Sequence, residues 1–124
     1  MNEDEAALLH LRWAVQALAA DGSDQVRLHP ELACVSCELL SDFENWHRAT
    51  AWRSALGLTE EQRLALQAIA TYINGMEATP CFTSEPLSRA DWSRLRGLAI
   101  GCLRRFKWKQ ELPPIERNVY VRGA

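Results

Sequence analysis

Apolar residues near the middle of the chain recur at the spacing of an α-helix, between signals that begin and end helices. The stripe consists of Leu66, Ile69, Ile73 and Met76. Because residues three and four apart lie on one face of a helix, this face is predicted to be buried. Thr59 and Gln62 form a capping box before the stripe, and Gly75 stands at its end. The segment is therefore predicted to be an amphipathic helix.

Two earlier segments have the same organisation. Asn2 and Glu5 are a capping pair at the start of the first helix, which Gly22 is expected to end. Pro30 is placed to begin the next helix, because the first turn needs no N–H from that residue. Gly57 provides the stop signal of this second helix. The apolar stripes are Leu8, Leu11, Val15 and Leu18 in the first helix, and Leu32, Leu39, Phe43 and Trp46 in the second.

The last long helix follows a loop of turn-forming residues. Ser88 with Asp91 is expected to cap it. Its apolar stripe consists of Trp92, Leu95, Ala99, Cys102 and Phe106. The consecutive prolines within residues 111–114 prevent any helix from continuing, since proline lacks the N–H and clashes with the preceding turn. The tail after them is predicted either to add a short extended segment at Val119–Val121 or to be partly disordered.

The number and spacing of these segments predict the fold class. Four or five helices joined by short connections favour an all-α bundle of largely antiparallel helices. A chain of 124 residues is long enough for one domain with its own core. We therefore expect a single helical-bundle domain over residues 1–124, with the proline-containing residues 111–124 as its tail.

The N-terminus and the cysteine content indicate a compartment. The opening residues MNEDEAALLH are acidic and lack the basic region of a secretory signal. No apolar run approaches the roughly 20 residues that a membrane span needs. Four cysteines in such a chain favour reduced thiols over a disulfide framework. These features predict a soluble protein of a bacterial cytoplasm with no membrane partner.

Cys34 and Cys37 form a C-x-x-C pair. Inside a helix that begins at Pro30, they point away from its core stripe. Zinc needs about four ligands, so a single pair makes these two residues weak candidates for a metal site. A redox pair needs its first cysteine at the start of a helix that follows a strand. In a helix that begins at Pro30, Cys34 lies about one turn past the start, and no strand is predicted before it. The sequence therefore favours a packing role for the pair and predicts no cofactor.

Patterns typical of catalysis are missing from the sequence. It has no phosphate-binding glycine-rich loop, no nucleophile elbow and no histidine pair of a zinc protease. His10, His29 and His47 are scattered along the chain. Asp42 and Glu44, next to His47, are more typical of a solvated helix face than of an acid–base cluster. The sequence predicts a protein that is not an enzyme.

Acidic and basic residues are unevenly divided between the two halves of the chain. Residues 1–62 contain 11 acidic and 4 basic residues, whereas residues 63–124 contain 5 and 10. One basic cluster consists of Arg104, Arg105, Lys107 and Lys109, with Trp108 placed to stack on a base. The two halves are expected to neutralise each other, and a net charge of −2 is not typical of nucleic-acid binders. Nucleic-acid or regulatory binding through these four residues is the alternative function, and metal binding through Cys34 and Cys37 is the second alternative.

Three apolar residues are not explained by the core stripes. Leu9 and Trp13 lie on a second face of the first helix, and Trp52 stands outside the stripe of the next helix. Tryptophan is enriched both in cores and at binding hot spots. Leu9, Trp13 and Trp52 are therefore candidates for an interface with another protein, including a second copy of the chain.

Three stretches within residues 38–103 match a recurring pattern: ELLSDFENWH, LTEEQRLALQAIATYINGM and DWSRLRGLAIGCL. Together they resemble small stand-alone helical proteins of bacteria, some of which are similar to immunity proteins or to products of mobile gene cassettes. The matching positions are mostly core and capping residues, so the resemblance carries over no catalytic residue. It implies a helical fold. The missing catalytic motifs, the acidic first half and the unexplained tryptophans predict a protein-binding module of a bacterial cytoplasm, either immunity-like or an adaptor.

Overall fold

Five α-helices and two 3-10 turns form the regular structure of this chain in a computed structural model, which describes residues 1–29, 34–76 and 84–117. The helices are α1 (Glu3–Ala19), α2 (Gly22–Arg27), α3 (Val35–Ala51), α4 (Glu60–Asn74) and α5 (Ala90–Phe106), and the turns are Ser54–Leu56 and Glu85–Ser88. The predicted all-α bundle is confirmed. The extended segment predicted at Val119–Val121 lies outside the described residues. Within the three described ranges, no helix combines the length and the hydropathy needed to cross a membrane.

Helix α1 lies at the centre of the bundle. It packs against both α3 and α5, and α5 also packs against α4. Helices α3 and α4 make few contacts with each other. Leu11, Val15 and Leu18 of α1 are completely buried, as are Phe43 of α3 and Leu95 of α5. The predicted apolar stripes of the long helices therefore share one core, with α1 contributing to most of it.

Two helices begin with the capping boxes that the sequence predicts. The side-chain oxygen of Asn2 accepts a hydrogen bond from the N–H of Glu5 at 2.8 Å, and the Glu5 carboxylate accepts one from the N–H of Asn2 at 3.2 Å. Thr59 and Gln62 pair in the same way at the start of α4. These bonds satisfy N–H groups that have no partner within the helix. They fix where α1 and α4 begin.

The starts of α3 and α5 differ from the predictions. Helix α3 begins directly after its N-cap, Cys34, and not at Pro30, which lies outside the described residues. Helix α5 has Arg89 as its N-cap instead of Ser88. The hydroxyl of Ser88 donates to the carbonyl of Glu85 at 2.8 Å, within the preceding 3-10 turn. Because that turn uses the Ser88 hydroxyl, the predicted cap does not form.

Gly22 does not end the first helix, which was its predicted role. The chain becomes extended at Ala20, and Gly22 is the first residue of α2. A Cβ atom at Gly22 would lie 3.3 Å from the guanidinium group of Arg96 and 3.5 Å from the side chain of Leu87. Glycine at this position therefore allows the start of α2 to approach α5 and the turn before it.

The carboxyl end of α1 is capped by side chains from other elements. Its last turn contains no basic residue, so its final carbonyls need donors from elsewhere. Gln25 of α2, which is completely buried, donates to the carbonyls of Ala17 at 3.0 Å and Leu18 at 3.2 Å. Arg96 of α5 donates to the carbonyl of Ala20 at 2.9 Å and to the side-chain oxygen of Gln25 at 3.0 Å.

Arg96 connects four elements of the fold. Besides its bonds to α1 and α2, it donates to the carbonyl of Leu87 in the second 3-10 turn at 2.6 Å. Burial lowers the pKa of Arg96, and the nearby carboxylate of Asp21 opposes that change. An arginine nevertheless stays protonated in proteins, so these are charge-assisted hydrogen bonds. The Arg96–Gln25 pair therefore satisfies the end of α1 and fixes α2 and α5 against it.

Helix α5 ends before the prolines that were predicted to stop it. Lys107 adopts a left-handed conformation with φ of 57°. The N–H of Trp108 then donates to the carbonyl of Leu103 at 2.9 Å, a bond that closes helix ends of the Schellman type. The ring of Trp108 stacks on Phe106, with centroids 4.0 Å apart. Local backbone geometry, and not proline, therefore ends this helix.

We expect Arg96→Met to lower the free energy of unfolding by about 3 kcal/mol, because it leaves Gln25 and two carbonyls without a donor. Urea unfolding followed by circular dichroism measures the difference. Arg94→Met is the matched control, since Arg94 is exposed on the same helix. The control should change the free energy by less than about 0.5 kcal/mol. Equal losses in the two variants would contradict the role given to Arg96.

Candidate functional site

Trp52 follows the last residue of α3 and is 70% exposed. The guanidinium carbon of Arg53 lies 4.3 Å from the centroid of its ring, within the range of a cation–π contact. Arg53 is itself held in place, because it donates to the carbonyl of Ala49 at 2.9 Å and to the carboxylate of Asp4 at 2.7 Å. The exposed indole therefore rests on a side chain that is anchored to both α1 and α3.

A groove of about 360 Å³ opens beside Trp52, between the end of α3 and the start of α4. We call it the Trp52 groove. Its apolar walls include Leu58 and Leu66, and its charged lining residues are Arg53 and Arg63. None of the described residues that line it is acidic, and the carboxylates paired with its arginines, Asp4 with Arg53 and Glu60 with Arg63, lie outside the lining. The groove is therefore suited to an apolar side chain that is accompanied by carboxylates.

His47 also lines the Trp52 groove. Its ring stacks on Phe43, with centroids 5.4 Å apart, and its carbonyl accepts a hydrogen bond from the hydroxyl of Thr50 at 3.0 Å. Burial lowers the pKa of His47 from its ordinary value of 6.5. The neutral imidazole is therefore the form that the folded protein favours, and protonation of His47 opposes folding.

A second cleft, of about 580 Å³, lies between α1 and α3. We call it the His29 cleft; its lining residues are His10, Trp13, Ala14, Ala17, Leu28, His29, Asp42, Trp46 and 115–117. His10 stacks on Trp46 with centroids 4.1 Å apart, and the ring of Trp13 meets His10 edge-on at 5.2 Å. These three rings form an aromatic wall of the cleft. The volume of the cleft is in the range of small-molecule sites.

His29 and Asp42 provide titratable groups in this cleft. Burial lowers the pKa of His29, and Asp42 opposes part of that change. Burial raises the pKa of Asp42, and His29 opposes part of it in turn. The Nε2 atom of His29 is buried and has no hydrogen-bond partner among the described residues. The cleft can therefore offer a neutral imidazole and a carboxyl group to a small polar ligand.

The sequence did not predict that His29 and Asp42 share a cleft. It placed Asp42 with Glu44 and His47, which are its neighbours along the chain. In the structure Asp42 lines the His29 cleft, whereas His47 lines the Trp52 groove. The available signal was the spacing of Asp42 and Trp46, which lie four residues apart and therefore on one face of α3. Which residue faces them from α1 or α2 depends on the packing of the helices.

Cys34 and Cys37 form a disulfide bond, with their Cα atoms 5.2 Å apart. The prediction of reduced thiols is therefore wrong for this pair, whereas the burial of Cys34 agrees with a packing role. The physical reason is the later start of α3: Cys34 keeps an extended backbone at the N-cap, so its sulfur can reach Cys37 in the first turn. A sulfur in a disulfide is not a thiolate and does not ligate metal in that state.

The described residues contain no other candidate metal centre. Among the residues with a described position, no three His, Cys, Asp or Glu side chains gather as a ligand set. Cys102 is buried in the core, and burial raises the pKa of its thiol to about 12. Cys81 lies outside the described residues. Cys102 is therefore a thiol with little tendency to react at neutral pH.

The three interface candidates have different surroundings. Leu9 and Trp13 are half-buried, and Trp13 lines the His29 cleft. Trp52 is the exposed one of the three. The second apolar face of α1 therefore packs partly within the chain, and Trp52 has the surface position that an interface requires.

The four basic residues of the alternative function are all exposed near the end of α5: Arg104, Arg105, Lys107 and Lys109. Positive charge is favourable there because it faces the negative end of the helix dipole. Trp108, the predicted stacking platform for a base, packs on Phe106 within the chain. Nucleic-acid binding stays a prediction, and the position of Trp108 does not favour it.

Comparison with known proteins gives no assignment for either site. No family model matches the chain, and no curated protein or solved structure matches it. The geometry of the Trp52 groove and of the His29 cleft is therefore the basis for their interpretation.

We expect the free energy of unfolding to fall as the pH is lowered from about 7 to about 5. His47 and His29 have lowered pKa values in the folded state, so the unfolded chain binds more protons below their ordinary value of 6.5. His47→Gln should make this decrease shallower. Urea unfolding at a series of pH values measures it.

Arg48→Gln is the control for this titration, because Arg48 is exposed on the same helix and lines neither the Trp52 groove nor the His29 cleft. It should leave the pH dependence of the parent chain unchanged. An unaltered slope in His47→Gln would show that His47 is not buried as a neutral ring.

Proposed function

We propose that this chain is a protein-binding module and that Trp52 is the anchor residue of its binding face. The observation that supports this is a tryptophan that is 70% exposed yet held by a stacked Arg53. An indole surrounded by water forgoes the free energy that its burial would release. Tryptophan and arginine are the residue types most often found at binding hot spots. A partner that covers Trp52 would recover this free energy.

The fixed position of Trp52 also favours binding. Arg53 is bonded to the carbonyl of Ala49 and to the carboxylate of Asp4, so the platform under the indole is already ordered. Ordering a side chain on association has an entropic cost of about 0.5–1.5 kcal/mol. A side chain that is ordered beforehand avoids part of that cost. This is the reason why a rigid aromatic residue makes an efficient anchor.

The lining of the Trp52 groove indicates the chemistry of the partner. Leu58 and Leu66 offer apolar walls, and Arg53 and Arg63 offer guanidinium donors. Each guanidinium has five N–H donors, and the described bonds do not use all of them. We therefore propose an acidic protein surface that inserts an apolar side chain between its carboxylates. The proposed role in a bacterial cytoplasm is either immunity-like or that of an adaptor. In the first the bound partner is inhibited, and in the second it is recruited.

Photo-crosslinking in the native host cell tests the proposal. The photoreactive residue p-benzoylphenylalanine is introduced in place of Ser54, which lines the Trp52 groove and is exposed. We expect one discrete covalent adduct, because the partner lies within reach of this position. Trp52→Ala in the same chain should remove the adduct. Intact mass of the adduct distinguishes a different protein from a second copy of the chain.

Leu64→Ala is the matched control, because Leu64 is 60% exposed and does not line the Trp52 groove. The adduct should persist in this variant. The proposal fails if irradiation gives no discrete adduct, or if the adduct forms equally well without the Trp52 side chain. If the adduct has the mass of two copies of the chain, Trp52 is still the anchor residue. The partner is then a second copy of the chain and not a different, acidic protein.

A further inference from the structure

The C-x-x-C pair lies at the start of a long helix, and no part of the proposed binding face uses it. Cys34 is the N-cap of α3 and Cys37 belongs to its first turn. Their sulfurs are joined, and the Cα separation of 5.2 Å is in the ordinary range for a disulfide. The pattern and its place at a helix start are those of reactive dithiols, in which the two sulfurs are kept close after reduction.

A structural role explains this disulfide poorly. A cross-link stabilises a fold mainly by constraining the unfolded chain, and the effect grows with the length of the loop that it closes. Cys34 and Cys37 are three residues apart, so the loop is among the shortest that a disulfide can close. The helix that contains the pair is already fixed to the bundle through Leu39 and Phe43, which are buried in the core. The disulfide therefore adds little stability beyond that supplied by the packing of the helix.

The two cysteine residues differ in exposure. Cys34 is 9% exposed, whereas Cys37 is half-buried and more open to solvent. The hydroxyl of Ser36 lies 3.6 Å from the sulfur of Cys34. Since a disulfide sulfur carries no hydrogen, the hydroxyl is the donor in this contact. An external thiolate therefore reaches Cys37 more easily, while Cys34 has a donor beside it.

The helix start favours Cys34 as the leaving sulfur. The N-cap is the position at which a side-chain oxygen usually accepts the first N–H groups of a helix. Negative charge at this position is stabilised by those N–H groups and by the helix dipole. A thiolate released from Cys34 gains both this stabilisation and the Ser36 hydroxyl. Exchange is faster when the leaving sulfur is stabilised as a thiolate.

We propose that Cys34 and Cys37 form a reversible dithiol–disulfide pair, in which Cys37 is the sulfur attacked by an external thiol and Cys34 is the leaving and resolving sulfur. The co-reactant is a low-molecular-weight thiol. Its thiolate forms a bond to the sulfur of Cys37 while the Cys34–Cys37 bond breaks, and Cys34 takes up a proton. A second thiol then displaces Cys37 from the mixed disulfide. Two external thiols are thereby oxidised to one disulfide, and the pair gains two electrons and two protons.

Thiol–disulfide titration of the full chain tests reversibility. Cys81→Ser is used throughout, and buried Cys102 is the internal control that should stay unmodified in the folded state. The chain is equilibrated with mixtures of reduced and oxidised dithiothreitol, quenched with acid, alkylated and analysed by intact mass. We expect one reversible two-electron transition while circular dichroism stays unchanged. Reduction that occurs only together with unfolding would overturn the proposal, as would a reduced pair that retains zinc through purification.

Variants that retain one cysteine of the pair, together with the buried Cys102, test the roles of the two sulfurs. With glutathione disulfide as the probe, Cys34→Ser should form a mixed disulfide at Cys37 faster than Cys37→Ser forms one at Cys34, by a factor on the order of ten. The reason is that Cys37 is half-buried whereas Cys34 is buried, so that access outweighs the greater stability of the Cys34 thiolate. Circular dichroism establishes that both variants fold. Equal rates, or a faster reaction at Cys34, would overturn the assignment.

Discussion

The end of helix α1 is the point on which the rest of the structure depends. This helix packs extensively against both α3 and α5, and its last turn has no basic residue to cap it. Gln25 and Arg96 supply the missing donors from α2 and α5. Unpaired carbonyls in this buried region would each be costly, so the bonds also determine where α2 and α5 must lie. Gly22 leaves the space that this arrangement requires.

The candidate functional features are distributed along α3, which joins the bundle mainly through α1. The disulfide of Cys34 and Cys37 lies at its start, and Trp52 follows its end. Asp42, between them, lines the His29 cleft. Arg53 links the Trp52 end back to Asp4 at the beginning of α1. The central helix α1 thus positions an outer helix that carries the disulfide at its start and the exposed Trp52 after its end.

The sequence predicted the parts of the fold that depend on local pattern. The capping box at Thr59 forms as expected, because both partners lie in one turn of the chain. Features that depend on contacts between distant segments were missed. The start of α3 was placed at Pro30, so the N-cap position that lets Cys34 bond to Cys37 was missed. Nothing near Arg96 in the chain indicates that it caps α1. For the candidate site, the sequence singled out Trp52 as unexplained by the core, but the Arg53 platform depends on Asp4, far away in the chain.

Native-state hydrogen exchange of the oxidised chain tests the central claim, that the hydrogen bonds of Arg96 and Gln25 join α1 and α5 into the part of the fold on which the rest depends. The account predicts that the slowest amides lie in these two helices and exchange only with global unfolding, while the first turn of α3 opens with a lower free energy. The last turn of α1 should be as protected as its middle. Rapid exchange at the end of α1, with the greatest protection in α3 or α4, would contradict it.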